Sequence, residues 1–199
     1  VAPIALAKKY AGIGASVVAY MKNTRTPFGI DFGVGDIIVP KQEKRKIPTQ
    51  LPDYNAPMIN TYSLETTIAE KIDAILSLME FSSRMKDYYD IYYIVNKFDF
   101  EGRVLSEALH RTFVNRGHTF SIKQFEQVMG FGDDAAMQKK WKAFVRKINT
   151  NTDDYGTVLE TINVFLAKPF AAAIEGIEYT ADWSAAKGEW QESLPEICK

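Results

Sequence analysis

The sequence predicts an α+β chain, with extended segments in its first third and a bundle of amphipathic helices after them. Three observations carry this. Residues 26 to 40 (TPFGIDFGVGDIIVP) set short apolar runs around glycines, bounded by Pro27 and Pro40, as strands and turns do. From Thr61 onward the apolar residues Leu64, Ile68, Ile72, Ile75 and Met79 recur at helical spacing. At 199 residues, 46% of them hydrophobic and 25% charged, the chain is long and apolar enough to bury a sizeable core.

The elements follow in order. Residues 1 to 22 are small and apolar, with Gly12 and Gly14 inside, and read as a short helix followed by a strand. Residues 26 to 40 read as two short extended segments around a glycine-rich bend at Gly33, Gly35 and Asp36. The stretch KQEKRKIPTQLPDYNAP, residues 41 to 57, holds three prolines and a basic cluster, the pattern of an exposed loop. Ser63 is placed as the N-cap of the first helix, with Glu65 in its first turn. EFSS interrupts that helix, and Ser82 or Ser83 is expected to cap the next, which should run to about Phe98. Further helices are expected at 103–115, 121–128, 134–149 and 155–167, where Leu105, Leu109 and Phe113, or Trp141, Phe144, Val145 and Ile148, suit a packed bundle. From Gly176 the chain is aromatic and irregular. The organisation expected is therefore a sheet region over 1–60, a helical region over 61–175 and an irregular tail over 176–199.

Composition excludes several classes. The formal charge is only -1 and the pI about 6.2, so no global field holds nucleic acid and any anion site must be local. The single cysteine, Cys198, rules out a disulfide framework, and two histidines, His110 and His118, are too few and too scattered for a zinc site. No apolar run approaches the roughly 20 residues that span a bilayer, and the N-terminus lacks the pattern of a signal peptide. A cytoplasmic protein without a membrane segment is expected.

Charged residues in apolar settings point to chemistry. In SRMKDYYDIYYI, residues 83 to 94, a wheel at about 100° per residue places Met85, Tyr88, Ile91, Tyr92, Val95 and Phe98 on one arc. Asp87 falls inside that arc and Arg84 near its centre, while Lys86 and Asp90 lie at or beyond its edge. A buried carboxylate costs several kcal/mol unless it is paired or bound, so Asp87 requires a partner. Either Arg84 pairs with it at i,i+3 or it caps a backbone amide, or the face borders a cleft where charge is used. On the preceding helix Lys71 sits at the edge of the apolar stripe, where its stem can run along the core and its ammonium enter a cleft or simply reach solvent. In a strand Asp31 points away from Ile30 and Phe32 and shares its face with Gly29 and Gly33, which either leaves room for a ligand or metal beside it or marks an edge-strand aspartate in a turn. Lys41, Lys44, Arg45 and Lys46 can contact a phosphate backbone or remain solvated. GIGAS lacks the spacing of a phosphate loop, and neither histidine suggests a base or a metal ligand.

Taken together, GIDFGVGD, YSLETTIAEKIDAI and RMKDYYDIYYI resemble the later motifs of the AbiEii/AbiGii nucleotidyltransferase family, the toxins of type IV abortive-infection toxin-antitoxin systems. The resemblance covers about residues 25 to 98, with a weaker helical continuation to about 170. It implies a nucleotidyltransferase-like fold related to DNA polymerase β, here a partial sheet followed by a mostly helical bundle. It also implies transfer of a nucleoside monophosphate from a nucleoside triphosphate to an acceptor such as tRNA, Mg²⁺ as cofactor and a cognate antitoxin as partner. By the same resemblance Asp31 matches the third metal-binding carboxylate, and Lys71 the lysine near the nucleotide phosphates. Arg84, Lys86, Asp87 and Asp90 match the charged pattern of the last motif, with Arg84 and Lys86 on the nucleotide and Asp87 and Asp90 in the catalytic set.

The chemistry needs such residue types. Two Mg²⁺ ions activate the attacking hydroxyl and neutralise the leaving pyrophosphate, so hard carboxylate oxygens converge on them while lysine or arginine offsets phosphate charge. The family also carries an earlier Gly-Gly/Ser turn followed by Asp-x-Asp. No Asp-x-Asp precedes Asp31, which is the first acid in the chain, and the chain begins with Val1. The expectation is thus a fragment or a degenerate relative with little catalysis of its own. The rival expectations are a non-catalytic nucleotide-, RNA- or antitoxin-binding module and a helical scaffold whose charges are structural pairs.

Overall fold

The structure, a computed structural model, describes residues 2–4, 12–32 and 35–192 of the chain. Six helices among them carry the core: α1 (Leu64–Leu78), α2 (Met85–Val95), α3 (Gly102–Arg116), α4 (Ile122–Met129), α5 (Ala135–Ile148) and α6 (Tyr155–Glu175). Local chemistry sets most starts. The Ser63 hydroxyl accepts from the Thr66 amide, Ser121 and Gln124 form a reciprocal capping box, and Asp134 and Asp154 cap α5 and α6. These are the caps that satisfy amides otherwise orphaned at a helix start.

Three helix ends depart from expectation. Neither Ser82 nor Ser83 caps α2; Arg84 occupies the N-cap without a side-chain bond, and Ser82 Oγ instead accepts from the Arg84 amide. The same helix stops at Val95, so Phe98, placed on its apolar arc by the wheel, lies beyond it and is exposed. Helix α6 runs past residue 167 through Pro169 and ends at Gly176, whose φ of 68° is the left-handed cap that glycine adopts without strain. Continuation through a proline forfeits one ladder bond. Packing offsets it, because Val158, Ile162, Phe165, Leu166 and Phe170 are wholly buried and α6 packs against α2, α3, α4 and α5. Each such side chain contributes about 1.5–3 kcal/mol by leaving water.

The longer α6 also revises the membrane expectation. It is long and apolar enough to cross a membrane by length and composition, yet half of its apolar window is buried inside the structure, the mark of a core helix.

Strands β1 (Ala2–Ile4), β2 (Gly12–Met21) and β3 (Thr24–Phe32) form an antiparallel sheet in that order, with Gly14 opposite Asp31 and Met21 opposite Thr24. The opening helix expected in residues 1–22 is contradicted at residues 2–4, which are strand; residues 5–11 lie outside the described residues, as do Gly33 and Cys198. Among the described residues of 26–40, one strand runs to Phe32 and 35–40 are irregular, so the second extended segment is not found there.

The expected loop over 41–57 is corrected too. Its basic cluster forms β4 (Glu43–Lys46), paired antiparallel with β5 (Met58–Thr61). Pro48, Pro52 and Pro57 all fall in the connection, so none breaks the ladder.

Nor is the tail after 176 irregular. Strands β7 (Ala181–Ser184) and β8 (Glu189–Glu192) form a hairpin that adds to β6 (Phe100–Glu101), with Trp183 opposite Trp190. The indole N–H of Trp183 donates to the Val95 carbonyl at 2.8 Å and that of Trp190 to Phe165 at 2.9 Å, which fastens the hairpin to α2 and α6. Any side chain at Gly102 would meet the backbone of Ala181 at 2.5 Å, so glycine permits this approach.

Val39 ties the irregular run to the helices. Its amide donates to Thr66 Oγ1 at 2.8 Å and its carbonyl accepts from the Ser63 and Thr66 hydroxyls. That clamp holds the segment after β3 against the start of α1.

Candidate nucleotide cleft

Helices α1 and α2 pack together and bring the charges of the last two motifs into contact. Lys71 Nζ lies 3.0 Å from Asp87 Oδ1 and 2.5 Å from Asp90 Oδ2. Arg84 Nε donates to the other oxygen of Asp87, and Lys86 Nζ lies 2.5 Å from Asp90 Oδ2. The Asp87 residue is only 4% exposed, so its charge needs these two cations. Asp87 therefore pairs locally with Arg84 and also reaches Lys71 across the helix interface.

Lys71, Arg84 and Asp87 line a cleft of about 600 Å³. Asp90 stands behind Lys71 without lining it, and Lys86 is largely exposed outside it. Asp31 is not brought to this cleft. It sits on the exposed strand β3, with open space where a side chain at Gly29 would lie.

A second network shares the cleft and was not legible in the sequence. Asp73, 1% exposed on α1, accepts from Arg116 Nη1 at 2.8 Å and from His118 Nδ1 at 2.7 Å. The other terminal nitrogen of Arg116 pairs with Glu70. On the wheel of α1, Asp73 falls away from the Ile68, Ile72 and Ile75 face, where a solvated acid is expected; it is buried because the end of α3 packs across it. An acid and a histidine 45 residues apart offer no spacing signal.

The rim adds Tyr62, whose hydroxyl donates to Asp36 Oδ2 at 2.5 Å. Burial first, then the bond to the Asp36 carboxylate, push the Tyr62 phenol up to about 12. Asp36 is thus more than a turn acid. His110 is structural, its Nδ1–H donating to the Ala173 carbonyl at 2.8 Å. Among the cluster on β4, Arg45 is held by Glu43 at 2.6 Å, while Lys44 and Lys46 point into solvent. A separate cleft of about 500 Å³, lined by Tyr89, Tyr92, Tyr93 and Lys97, takes none of the expected residues.

A magnesium centre requires several oxygen ligands on each ion. Among the described residues no three acidic, histidine or cysteine side chains converge in a manner that holds a metal, so Asp31 does not belong to a complete donor set. The residues described do not fit a two-metal site.

The family model for the nucleotidyl transferase AbiEii toxin of type IV toxin-antitoxin systems matches residues 2–175, and the chain belongs to that family. No curated protein and no solved structure matches it. The fold is accordingly a nucleotidyltransferase-like α+β fold with a helical C-terminal part, in a toxin of abortive infection. Membership implies a nucleotide substrate and an antitoxin partner.

Proposed function

We propose that the cleft between α1, α2 and the end of α3 receives a nucleoside triphosphate, as the nucleotide site of a toxin that transfers a nucleoside monophosphate to tRNA. The observation that supports this most is the convergence of Lys71 and Arg84 on one buried carboxylate at the wall of a single cleft. In such a transfer an acceptor hydroxyl attacks the α-phosphorus and pyrophosphate leaves. Cations fixed before reaction stabilise the charge that develops, because they need no reorganisation at the moment of transfer. Lys71 faces the phosphates, oriented by Asp87 and Asp90; Arg84 contacts the nucleotide from the cleft wall, and Lys86 reaches it from outside the lining. The exposed lysines of β4 offer a track for the acceptor's backbone, since β4 pairs with β5 and β5 leads directly into α1. On this reading region 61–175 recognises nucleotide, region 1–60 serves the acceptor, and the protein acts in the cytoplasm.

Among the described residues Asp31 has no partners that complete a two-metal centre, and on this reading the chain binds nucleotide while transferring little. The rival is a non-catalytic module that binds nucleotide, RNA or the antitoxin. Titration calorimetry with GTP, CTP and a short RNA separates them. Nucleotide binding that Lys71→Ala abolishes and Asp31→Ala spares supports the cleft. Binding to an antitoxin protein with no heat from any nucleotide rejects it.

A further inference from the structure

The cleft is charge-balanced. Lys71, Arg84 and Arg116 bring three cations, Glu70, Asp73 and Asp87 three carboxylates, and every one of these cations is already in an ion pair. Tyr62 adds no charge, because its phenol keeps its proton in a bond to Asp36. A polyanion entering such a cleft meets fixed dipoles but no net positive charge.

His118 alters that balance. Asp73 already accepts from the Arg116 guanidinium, so it is a carboxylate, and the Nδ1 of His118 2.7 Å away must carry the hydrogen between them. The neutral ring therefore turns a bare Nε2 lone pair outward. No hydrogen bond to Nε2 exists among the described residues, and the ring lines the cleft with its side chain 40% exposed. Its position is fixed by the buried Asp73, by Ser77 Oγ at 3.4 Å from Nδ1 and by edge contact with Phe120 at 5.5 Å. Protonation converts Nε2 from an acceptor that repels phosphate oxygens into an N–H donor, and adds one positive charge to the cleft lining, with the Asp36 carboxylate behind Tyr62 at the rim as a further acid.

We infer that His118, held by Asp73, is a phosphate-binding residue of this cleft, recognising the polyphosphate end of its ligand through Nε2–H of the imidazolium. It rests on the nucleotide reading only for what the phosphate is attached to.

The test uses tripolyphosphate and GTP, titrated calorimetrically into the 199-residue chain at about pH 5.5 and about pH 8. Tripolyphosphate is expected to bind at least tenfold tighter at the lower pH, with proton uptake visible as a buffer-dependent heat. His118→Gln is expected to bind weakly at both values. Nitrogen-detected NMR of the unaltered chain gives a second readout: the His118 Nε2 signal should move to its protonated position on adding tripolyphosphate near pH 8, while His110 stays still. Binding of both ligands that is independent of pH and of His118→Gln overturns the role of His118 and leaves the nucleotide reading standing. Binding of tripolyphosphate that needs His118, with GTP no tighter, upholds His118 and rejects the nucleoside. Failure of tripolyphosphate to bind at the lower pH overturns the inference.

Discussion

The helical body and the strand pair β2–β3 treat their apolar side chains in opposite ways. On the helices Ile68, Ile72, Tyr88, Ile91, Leu109 and Ile162 are wholly out of water. On the strands Ile13, Phe28, Ile30 and Phe32 are all exposed, Phe32 by 51%. Backbone pairing joins β2 to β3 outside the buried core, whereas the helices interlock by buried side chains. The difference decides which charges are positioned. Lys71 and Asp87 stand on elements fixed by a packed core, so their 3.0 Å separation is enforced from both sides. Asp31 stands on a strand that is exposed along its whole length.

The largest effects should separate the two regions by stability. Ile72→Ala is expected to cost about 2–5 kcal/mol in urea unfolding, the range for a core cavity, while Phe32→Ala should stay within about 1 kcal/mol. Equal losses would erase the contrast. Asp87→Ala comes next: it leaves Lys71 and Arg84 without their shared counter-charge, and a loss of up to about 3 kcal/mol is expected because both are partly solvated. Asp31→Ala should change stability by no more than about 0.5 kcal/mol, and a larger change would mean that the strand carries contacts of its own.

Alkaline pH sharpens the same comparison. Burial pushes the Tyr88 phenol up to about 12 from its ordinary 10. The folded state therefore holds this proton more tightly than the unfolded chain. The contribution is complete below pH 10 and is lost as pH rises from 10 through 12, so unfolding should become easier across that window. Phenolate absorbance of a Tyr88→Phe variant against the parent identifies the group; a Tyr88 that ionises near pH 10 in the folded protein would contradict its burial. The smallest effect belongs to the exposed pair Arg45–Glu43 on β4, where Arg45→Ala should cost less than about 1 kcal/mol and nothing at high salt.

How much was legible follows the reach of each interaction. Ser63 as a cap, the register of α1 and α3, and the placement of Asp87 in an apolar arc could all be read, because residues three or four apart share a face on any helix. The wheel failed at Phe98, where the helix had already ended, and the basic loop failed because pairing between Glu43 and Thr61 is invisible in either segment alone. The tail failed for the same reason: β7 finds its partner β6 about 80 residues upstream, Trp183 opposite Phe100.

By itself, then, the sequence determined a helical bundle after extended segments, the family motifs, and a buried aspartate with an arginine one turn away. Those properties are local, set by helix geometry and by the cost of burying a charge. Only the tertiary structure decided that Lys71 crosses from α1 to meet Asp87, that α3 closes over Asp73 with Arg116 and His118, and that Asp31 remains apart from both. Which faces come together depends on how the whole core packs, and residues 16, 43 or 45 positions apart carry no periodicity that announces their meeting.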